Sequence, residues 1–388
     1  MPPRPLHALA LPPGPRVLEA VAAAIDGGPA VLPLDPTASP AVRARQLAAL
    51  RPQALVDADG VHRLRGGADL DEDVAVVIET SGSTGTPKGV ELTPAALLHS
   101  ATATLSRLAA TPGQQWLCCL PTHHIAGIQV LVRSLVAAST PEIAPFDVAR
   151  LGTSSADFVS LVPTLLYRAL EADVDLTGFQ AILVGGAPSS PELLRRAADA
   201  GARVVTTYGM SETGGGAVYD GVPLSGVRVA VDPDGRIRLG GPVLATGYRL
   251  APELTAAAFV DGWLVTQDAG RIDPVGRLHV LGRLDDIVLS GGVNVSLLEV
   301  AQVLGTHSAV ADAAAFARPD PEWGQSVVAV VVPRRPVPTL VELRAFVSDR
   351  AGAAAAPREL VLVGKLPTLP GGKLDRSALS QLGPSTAP

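Results

Sequence analysis

Short apolar runs alternate with alanine-rich amphipathic segments along most of the chain. The run VAVVIET at 74–80 has the length and β-branched content of a buried strand. The next segment, TPAALLHSATATLSRLAA, predicts a helix, because Thr93 can cap its first turn and Pro94 suits its first position. FVSLV, AILVG and RVVTTYG repeat the strand pattern further along. This alternation predicts an α/β fold of mostly parallel sheets covered by helices.

The pattern changes after Val222. VRVAVDPDGRIRLGG predicts a hairpin around its Asp-Gly turn, and GWLVTQDAGRIDPVGRLHVLGR predicts another antiparallel unit, so a small barrel-like part is expected here. Beyond GRLDDIVLSGG (282–292) the chain reads as a compact α+β domain. It has a helical run SLLEVAQVL, the strands AVADAAAFA and SVVAVVV, and a helix that opens on a Thr339/Glu342 capping box.

Composition narrows the class of protein. The chain has 388 residues, 47% of them hydrophobic and 18% charged, which is typical of a globular protein of two or three domains. The net charge of −6, without a block of like charge, argues against nucleic acid as the main partner. Cys118 and Cys119 are adjacent in an apolar run, so we expect both to be buried strand residues. We also expect the protein to reside in a reducing compartment. No apolar run approaches the length of a membrane helix and the N-terminus lacks a signal-peptide core, so we expect a cytoplasmic protein.

The strongest local chemical signal is TSGSTGTPKGVELT (80–93), directly after a predicted strand. Small residues let backbone N–H groups turn toward an anion, hydroxyls add donors, and a lysine supplies charge. This is not the Walker pattern of P-loop NTPases, because Pro87 and Gly89 flank the lysine. The residues expected to bind phosphate are Ser81, Gly82, Ser83, Thr84, Gly85, Thr86 and Lys88.

This loop and six later motifs resemble the adenylate-forming superfamily of acyl-CoA synthetases, luciferases and peptide-synthetase adenylation domains. The resemblance implies a two-domain enzyme that uses ATP, Mg²⁺ and, as co-substrate, a thiol such as CoA. The motifs are SGSTGTPKG (81–89), LPTHHIAG (120–127), GGAP (185–188), TTYGMSETGGG (206–216), TQDAG (266–270), GRLDDIVLSGG (282–292) and LPGGKLDR (369–376).

The first half-reaction joins a carboxylate to the α-phosphate of ATP, so negative charge has to be neutralised and aligned at phosphorus. The resemblance implies that Glu212 binds Mg²⁺ and that Thr213 touches the α-phosphate. It assigns the ribose hydroxyls to Asp268 and the same nucleotide to Arg283. Without it, Glu212 reads equally as a solvated loop acid and Arg283 as a surface charge. The implied adenine slot consists of Gly185, Gly186, Ala187, Tyr208, Gly209 and Met210.

Two further residues take implied catalytic roles. His124 matches the histidine of the family's acyl-pocket motif, whereas His123 does not match, and a structural role is the alternative for His124. Only three of the 31 basic residues are lysine, and two of these, Lys88 and Lys373, fall on phosphate-handling motifs. In the family the second of these lysines bridges the attacking carboxylate and the α-phosphate, a task that suits a compact ammonium. Lys365 lies outside the motif.

The second half-reaction forms the thioester after the small domain rotates. The resemblance implies a hinge at Asp285, with Asp286 as the alternative, and a thiol path shaped by Ser290, Gly291 and Gly292. We therefore expect a large adenylating domain with a shortened N-terminal part at 1–284. A small mobile C-terminal domain is expected at 285–388.

Three sequence segments indicate which carboxylic acid is the substrate. FVSLVPTLLYRAL, ILVGGAPSSPELL and TTYGMSETGGGAVYDGVPLSGVRV look similar to the compact actinobacterial o-succinylbenzoate–CoA ligases of menaquinone biosynthesis, and VYDGVPL is the most distinctive part. The implied reaction is o-succinylbenzoate + ATP + CoA → o-succinylbenzoyl-CoA + AMP + PPi. The ring carboxylate of this acid needs a cation or several donors. Arg133 and Arg168 are candidates, and a solvated helix face is the alternative for each. Expected pocket walls are Thr206, Thr207 and Gly209.

Other functions stay open at this point. One alternative is another aryl or short-chain acyl-CoA ligase, or a stand-alone adenylation enzyme that loads a carrier protein. A more remote one is a non-catalytic AMP-binding pseudoenzyme. The oligomeric state is also open, with a homodimer as one option.

Overall fold

A computed structural model describes residues 4–81, 87–368 and 374–383. Its α-helices are α1 (Pro15–Ile25), α2 (Pro40–Leu50), α3 (Pro94–Arg107), α4 (Ile125–Val136), α5 (Val148–Thr153), α6 (Pro163–Glu171), α7 (Pro191–Asp199), α8 (Pro252–Ala258), α9 (Leu297–Gly305), α10 (Leu340–Ala351) and α11 (Arg376–Ser380). Short 3₁₀ helices are Ser211–Thr213 and Leu284–Asp286.

The strands of the described residues, in chain order, are β1 (Leu6–Leu9), β2 (Ala30–Pro33), β3 (Ala54–Val56), β4 (Val61–Arg63), β5 (Val76–Ser81), β6 (Pro87–Leu92), β7 (Trp116–Cys118), β8 (Glu142–Ile143), β9 (Phe158–Leu161), β10 (Ala181–Val184), β11 (Val204–Met210), β12 (Gly215–Tyr219), β13 (Val222–Pro223), β14 (Arg228–Val231), β15 (Arg236–Gly240), β16 (Gly247–Tyr248), β17 (Phe259–Val260), β18 (Trp263–Ile272), β19 (Leu278–Arg283), β20 (Ile287–Ser290), β21 (Val293–Ser296), β22 (Val310–Asp320), β23 (Gly324–Pro333) and β24 (Glu359–Leu362).

The chain divides into two compact units. The first comprises the residues up to Pro188 together with Ala197–Ala230 and Arg238–Val265. The second comprises Ser189–Arg196, Val231–Ile237 and the residues from Thr266 onward. The predicted functional boundary between residues 284 and 285 stays a prediction.

Two sheets build the first unit. One has the strand order β16-β6-β5-β2-β1-β3-β4, with parallel pairs around β1 and β2 and antiparallel pairs toward both edges. The other has the order β13-β12-β11-β10-β9-β7-β8, parallel from β8 to β11 and antiparallel beyond. The predicted α/β architecture is confirmed, and the sheets are mixed. The edge strands β4 and β13 close short hairpins, which can only be antiparallel, whereas β16 pairs antiparallel with β6 from a distant part of the chain.

A helical layer joins these sheets into one core. Buried residues of α1, α3 and α4 form a single apolar cluster with residues of both sheets, and Trp116 and Phe158 are among its members. Those two rings lie 5.0 Å apart, centroid to centroid, and neither is more than 1% exposed. The core of this unit therefore lies between the sheets, on the helices that follow the predicted phosphate and acyl motifs.

Local capping chemistry fixes helix starts where the sequence predicted them. Thr93 accepts a hydrogen bond from the N–H of Ala96 at 3.1 Å, and Pro94 opens α3. Thr339 and Glu342 form the predicted capping box at the start of α10, each side chain accepting from the other's backbone N–H.

The adjacent cysteines are buried and free, as predicted. Cys118 ends β7 and Cys119 follows it. Burial raises the pKa of each thiol to about 12, so both stay protonated and unreactive at neutral pH. They belong to the core rather than to the chemistry.

The antiparallel part has the order β14-β15-β18-β17, with β19 also paired to β18. The predicted Asp-Gly turn joins β14 and β15, and Gly235 adopts a φ of 84° there. In the C-terminal part the order is β21-β20-β23-β22, with β24 parallel to β23 and α9 and α10 packed on the sheet. Among the described residues, no helix is long and apolar enough to cross a bilayer.

A buried arginine fixes the edge strand β16. The side chain of Arg249 is 1% exposed and donates to the carbonyls of Leu50, Arg51, Ala68 and Asp69. Two of these carbonyls end α2, where a helix leaves carbonyl groups without intrahelical partners. The N–H of Arg249 also donates to the carbonyl of Gly89 at 2.8 Å. One guanidinium therefore ties α2, the loop before β5 and the strand after the predicted phosphate loop to β16.

Candidate active site

The predicted phosphate loop connects β5 and β6. These strands form an antiparallel hairpin in which Thr80 pairs with Lys88 and Ser81 with Pro87. Lys88 is half-buried on β6. The predicted phosphate ligands Gly82, Ser83, Thr84, Gly85 and Thr86, and the side chain of Ser81, lie outside the described residues. Lys88 therefore marks where this loop rejoins the sheet.

Glu212 lies in the 3₁₀ helix after β11 and is held at two points. Its Oε1 accepts a hydrogen bond from the Tyr248 hydroxyl at 2.7 Å. Its carbonyl accepts from the N–H of Ala245 at 2.8 Å. Lys88 Nζ lies 5.9 Å from the centroid of the Tyr248 ring, so the tyrosine contacts two of the predicted site residues.

The carboxylate of Glu212 suits a hard cation. Among the described residues, its Oε2 has neither a hydrogen-bond donor nor a cationic side chain in ion-pair distance. A half-buried carboxylate oxygen without a partner fits Mg²⁺, which is commonly bound by one or two carboxylates together with substrate phosphates. Within the described ranges, no three His, Cys, Asp or Glu side chains gather in a protein-only metal cage.

Thr213 is fully buried and holds the turn around Glu212. Its Oγ1 accepts from the N–H of Met210 at 3.0 Å and lies 2.7 Å from the carbonyl of Gly215, to which it can donate. The hydroxyl thus fixes the backbone on both sides of the glutamate. Its contact with a phosphate stays a prediction.

The predicted adenine slot has glycines where two strands approach closely. A Cβ on Gly185 would lie 2.1 Å from Thr207 Oγ1, and one on Gly209 would lie 2.1 Å from the carbonyl of Gly215. Gly186 has a φ of 78°, while Gly186 and Ala187 are exposed after β10. The structure therefore brings the GGAP and TTYG motifs side by side at the carboxyl ends of β10 and β11.

The other predicted residues on β11 are Thr206, Tyr208 and Met210, and Thr206 is already hydrogen-bonded within the protein. Thr206 donates from its N–H and its hydroxyl to the carboxylate of Asp220, at 2.9 and 3.0 Å. Tyr208 and Met210 are half-buried on β11. The adenine contacts of these two residues stay predictions.

His124 is the N-cap residue of α4 and is exposed, whereas His123 is half-buried. Their rings lie 4.4 Å apart, centroid to centroid. Burial lowers the pKa of His123, and the nearby carboxylate of Asp35 opposes that shift. The role of His124 on the acyl or thiol path stays a prediction.

The two candidate arginines lie in different environments. Arg168 is exposed on α6, as the solvated-face alternative predicted. Arg133 is only 4% exposed on α4, so that alternative is wrong for it. Its Cζ lies 4.2 Å from the centroid of the Trp116 ring, and its Nε donates to the Gln129 carbonyl at 2.8 Å. Its Nη1 is buried and has no hydrogen-bond partner among the described residues.

Arg133 lies one helical turn after Gln129, whose side chain approaches the glycine that follows the Glu212 turn. Gln129 precedes it by four residues, and the Gln129 Cγ would lie 3.2 Å from a Cβ on Gly215. Gly215 begins β12 directly after the turn that carries Glu212. Within the described chain no carboxylate pairs with Arg133, and burial lowers its pKa below the ordinary value.

In the second unit, Asp268 and Arg283 face each other across β18 and β19. They are register partners, and Arg283 Nη1 lies 3.6 Å from Asp268 Oδ1. The N–H of Asp268 donates to Thr266 Oγ1 at 3.1 Å. The structure thus brings together the two residues predicted to bind the nucleotide in this unit, while the binding itself stays a prediction.

The two hinge candidates differ in their contacts. Asp286 pairs through both carboxylate oxygens with the guanidinium of Arg376 at the start of α11. Asp285 is exposed, and its carboxylate makes no hydrogen bond or ion pair within the described residues. Lys373, three positions before Arg376, lies outside the described residues.

The predicted thiol-path segment ends β20. Ser290 is buried, and Gly291 and Gly292 adopt φ values of 58° and 81°. The N–H of Gly291 donates to the carbonyl of Trp323 at 3.0 Å, and a Cβ on Gly291 would lie 2.5 Å from the Trp323 ring. Glycine is required at 291 by this close approach as well as by its φ.

Comparison with known proteins is consistent with this arrangement. Residues 65–252 match the family model of the AMP-binding enzymes, and residues 299–373 match that of the AMP-binding enzyme C-terminal domain. The chain therefore belongs to the AMP-binding enzyme family.

Within that family, the chain is similar to ligases of one acid. It is 47% identical over 336 residues to the probable 2-succinylbenzoate–CoA ligase of Mycobacterium tuberculosis (strain CDC 1551 / Oshkosh), covering 81% of this chain and 86% of that protein. The o-succinylbenzoate CoA synthetase (MenE) of Bacillus subtilis in complex with the acyl-adenylate OSB-AMP superposes with a TM-score of 0.84 at 27% identity, covering 99% of this chain and 89% of that one. The same enzyme with ATP and magnesium gives 0.82 at 27% identity, covering 97% and 89%.

Proposed function

We propose that the protein is an AMP-forming acid–CoA ligase that converts o-succinylbenzoate, ATP and CoA to o-succinylbenzoyl-CoA, AMP and pyrophosphate. The observation that carries this proposal is the 47% identity to a 2-succinylbenzoate–CoA ligase over most of both chains. The geometry supports the class of reaction, because Tyr248 contacts both Lys88 of the phosphate loop and the carboxylate of Glu212.

In the first half-reaction, the chain's own residues align the two reactants. The loop at 81–89 binds the outer phosphates. Glu212 would hold Mg²⁺, which would supply positive charge at the phosphate oxygens. Lys373 bridges the attacking succinyl carboxylate and the α-phosphate, with Thr213 close to that phosphate. Asp268 accepts from the ribose hydroxyls. The acyl-adenylate forms as pyrophosphate leaves.

In the second half-reaction, the thiol of CoA attacks the acyl-adenylate and AMP leaves. We place the hinge between the domains 1–284 and 285–388 at Asp285. The carboxylate of Asp285 is exposed and has no partner within the described part of the chain, which supports this choice, since its backbone can rotate there without breaking a side-chain contact. Asp286 is the weaker candidate because it is tied to Arg376. Ser290, Gly291 and Gly292 shape the thiol path.

The ring carboxylate of o-succinylbenzoate is assigned to Arg133. A buried guanidinium without a carboxylate partner is costly, because burial removes its hydration and nothing compensates the charge. A ligand carboxylate would supply a partner for Nη1, which is buried and has no hydrogen-bond partner in the part of the chain that the structure describes. Arg168 is exposed and gains little from such a contact.

Replacing Arg133 by methionine should remove the preference for the ring carboxylate. We expect kcat/KM for o-succinylbenzoate to fall by about 30-fold or more, since losing one partner of a buried charge pair costs about 2 kcal/mol or more. For 4-oxo-4-phenylbutanoate, which has the same side chain but no ring carboxylate, kcat/KM should change little. Arg168→Met is the matched control and should behave like the wild type with both acids.

Two results would argue against this role of Arg133. Equal losses with both acids in a folded Arg133→Met protein would indicate a packing role alone. An unchanged preference would mean that another group binds the ring carboxylate. Arg133→Lys, which keeps the charge but not the fork, should retain part of the preference if the role is electrostatic.

The substrate itself is tested with a panel of acids. The purified protein is incubated with ATP, Mg²⁺, CoA and one of several acids, including o-succinylbenzoate, benzoate and short aliphatic acids, and acyl-CoA and AMP are measured. We expect turnover with o-succinylbenzoate to exceed that with every other acid. Preference for a different acid would keep the ligase class and refute this substrate, and transfer only to a carrier protein would refute the role of CoA.

We further propose a place in menaquinone biosynthesis and a cytoplasmic location. The free thiols of Cys118 and Cys119 support a reducing compartment. A homodimer stays a prediction, which analytical ultracentrifugation of the full chain would check.

A further inference from the structure

Tyr248 joins the strand of the phosphate loop to the metal-binding carboxylate. It lies on β16, where it is the register partner of Val90 on β6, two residues after Lys88. Its ring centroid is 5.9 Å from Lys88 Nζ, and its hydroxyl donates to Glu212 Oε1 at 2.7 Å. The sequence motifs did not single out this residue.

The tyrosine is itself held rigidly. Its N–H donates to Thr255 Oγ1 at 2.9 Å, and its ring packs 5.8 Å from the Phe259 ring, centroid to centroid. Arg249, the next residue, anchors the strand through its backbone bond to Gly89. These contacts fix the backbone and the ring of Tyr248, so the position of its hydroxyl oxygen is set by the fold.

Glu212 is held through both its backbone and its side chain. Its backbone is tied to Ala245, three residues before Tyr248, so the same segment holds the backbone and the side chain. The hydrogen bond from Tyr248 occupies Oε1 and leaves Oε2 without a partner among the described residues. A carboxylate with one oxygen fixed can present the other in a single direction.

We propose that Tyr248 is a positioning residue that orients Glu212 so that Oε2 binds the divalent cation of the nucleotide. This inference rests on the proposed function, in which Glu212 is the metal ligand. Groups that hydrogen-bond to a ligating carboxylate tune metal affinity, and their loss commonly costs about 10–100-fold. The side chain of Tyr248 also lies within reach of both this carboxylate and Lys88, whose Nζ lies 5.9 Å from the ring centroid of the tyrosine.

Tyr248→Phe tests the proposal, because it removes only the hydroxyl. Binding of Mn²⁺ with ATP, measured by electron paramagnetic resonance without acid or CoA, should weaken by about 10-fold. Binding of ATP in the presence of EDTA should stay at the wild-type value. In turnover assays the Mg²⁺ concentration for half-maximal rate should rise, and saturating Mg²⁺ should restore most of kcat.

Tyr167→Phe is the matched control, since Tyr167 is exposed on α6, and it should leave both titrations unchanged. Wild-type Mn²⁺ affinity in Tyr248→Phe would overturn the proposal. An equal loss of ATP affinity with and without metal would also overturn it, by indicating a structural role alone. Glu212→Gln separates the two claims: wild-type metal affinity in that variant would refute Glu212 as the ligand. Weak binding in Glu212→Gln beside wild-type binding in Tyr248→Phe would refute only the positioning role.

Discussion

Lys373→Ala should lower the rate of acyl-adenylate formation by about 10²–10³-fold, the usual cost of removing one preorganised group that stabilises charge in a transition state. The negative charge that builds up between the succinyl carboxylate and the α-phosphate would lose its bridging cation. The thioester step should stay near the wild-type rate when synthetic o-succinylbenzoyl-AMP and CoA are supplied, because the proposed role of the lysine is confined to the first half-reaction.

The two half-reactions are measured separately for this comparison. Acid-dependent exchange of labelled pyrophosphate into ATP reports the first, and formation of acyl-CoA from the supplied adenylate reports the second. Lys365→Ala is the matched control, since Lys365 is exposed and outside the motif, and it should not change either rate. Equal rates of pyrophosphate exchange in Lys373→Ala and the wild type would refute the assigned role.

Arg249→Met should lower the free energy of unfolding of the first unit by about 3–5 kcal/mol, the typical result of removing one partner from a buried ionic network. The variant removes the guanidinium that donates to the carbonyls of four residues and lies 3.6 Å from the carboxylate of Glu91. The carbonyls of Arg51 and Ala68 each keep a second donor. Burial raises the pKa of Glu91 even beside the arginine, so an unpaired Glu91 would be costly as an anion.

Urea unfolding followed by tryptophan fluorescence measures this effect, because Trp116 and Trp263 both lie in the first unit. Arg249→Lys should recover only part of the stability, since an ammonium cannot reproduce the planar fork. Arg168→Met, at an exposed site, should stay within about 0.5 kcal/mol of the wild type. A midpoint for Arg249→Met equal to that of the wild type would mean that the buried arginine does not hold these segments together.

The parts of the fold set by short-range chemistry were predictable. Thr93 and Pro94 fix the start of α3 through groups within a few residues, and the Asp-Gly turn fixes a hairpin in the same way. The two-residue strand β16 was not predictable, because only pairing with β6, over 150 residues earlier, makes it a strand. A run as short as Gly247–Tyr248 carries no periodicity.

Some residues of the candidate site could likewise be predicted from the sequence, and others could not. Glu212 and Asp268 were singled out by the resemblance of their motifs to the adenylate-forming superfamily, and Lys88 by the Gly/Ser-rich loop around it. Tyr248 and Arg249 do not, because their partners come from distant segments and a Gly-Tyr-Arg run has no chemical signature by itself. Arg133 shows the limit of helix patterns, since a single charge in an apolar helix reads equally as solvated or buried, and only the Trp116 ring beneath it decides.

The central claim is that the carboxylate attacks the α-phosphate of ATP. The most direct test uses o-succinylbenzoate labelled with ¹⁸O in its succinyl carboxylate, together with ATP, Mg²⁺ and CoA, and determines the mass of the AMP formed. The proposed reaction transfers one carboxylate oxygen to AMP, so the product should carry one ¹⁸O atom. Unlabelled AMP, or label found in inorganic phosphate beside ADP, would contradict an acyl-adenylate and with it the proposed function.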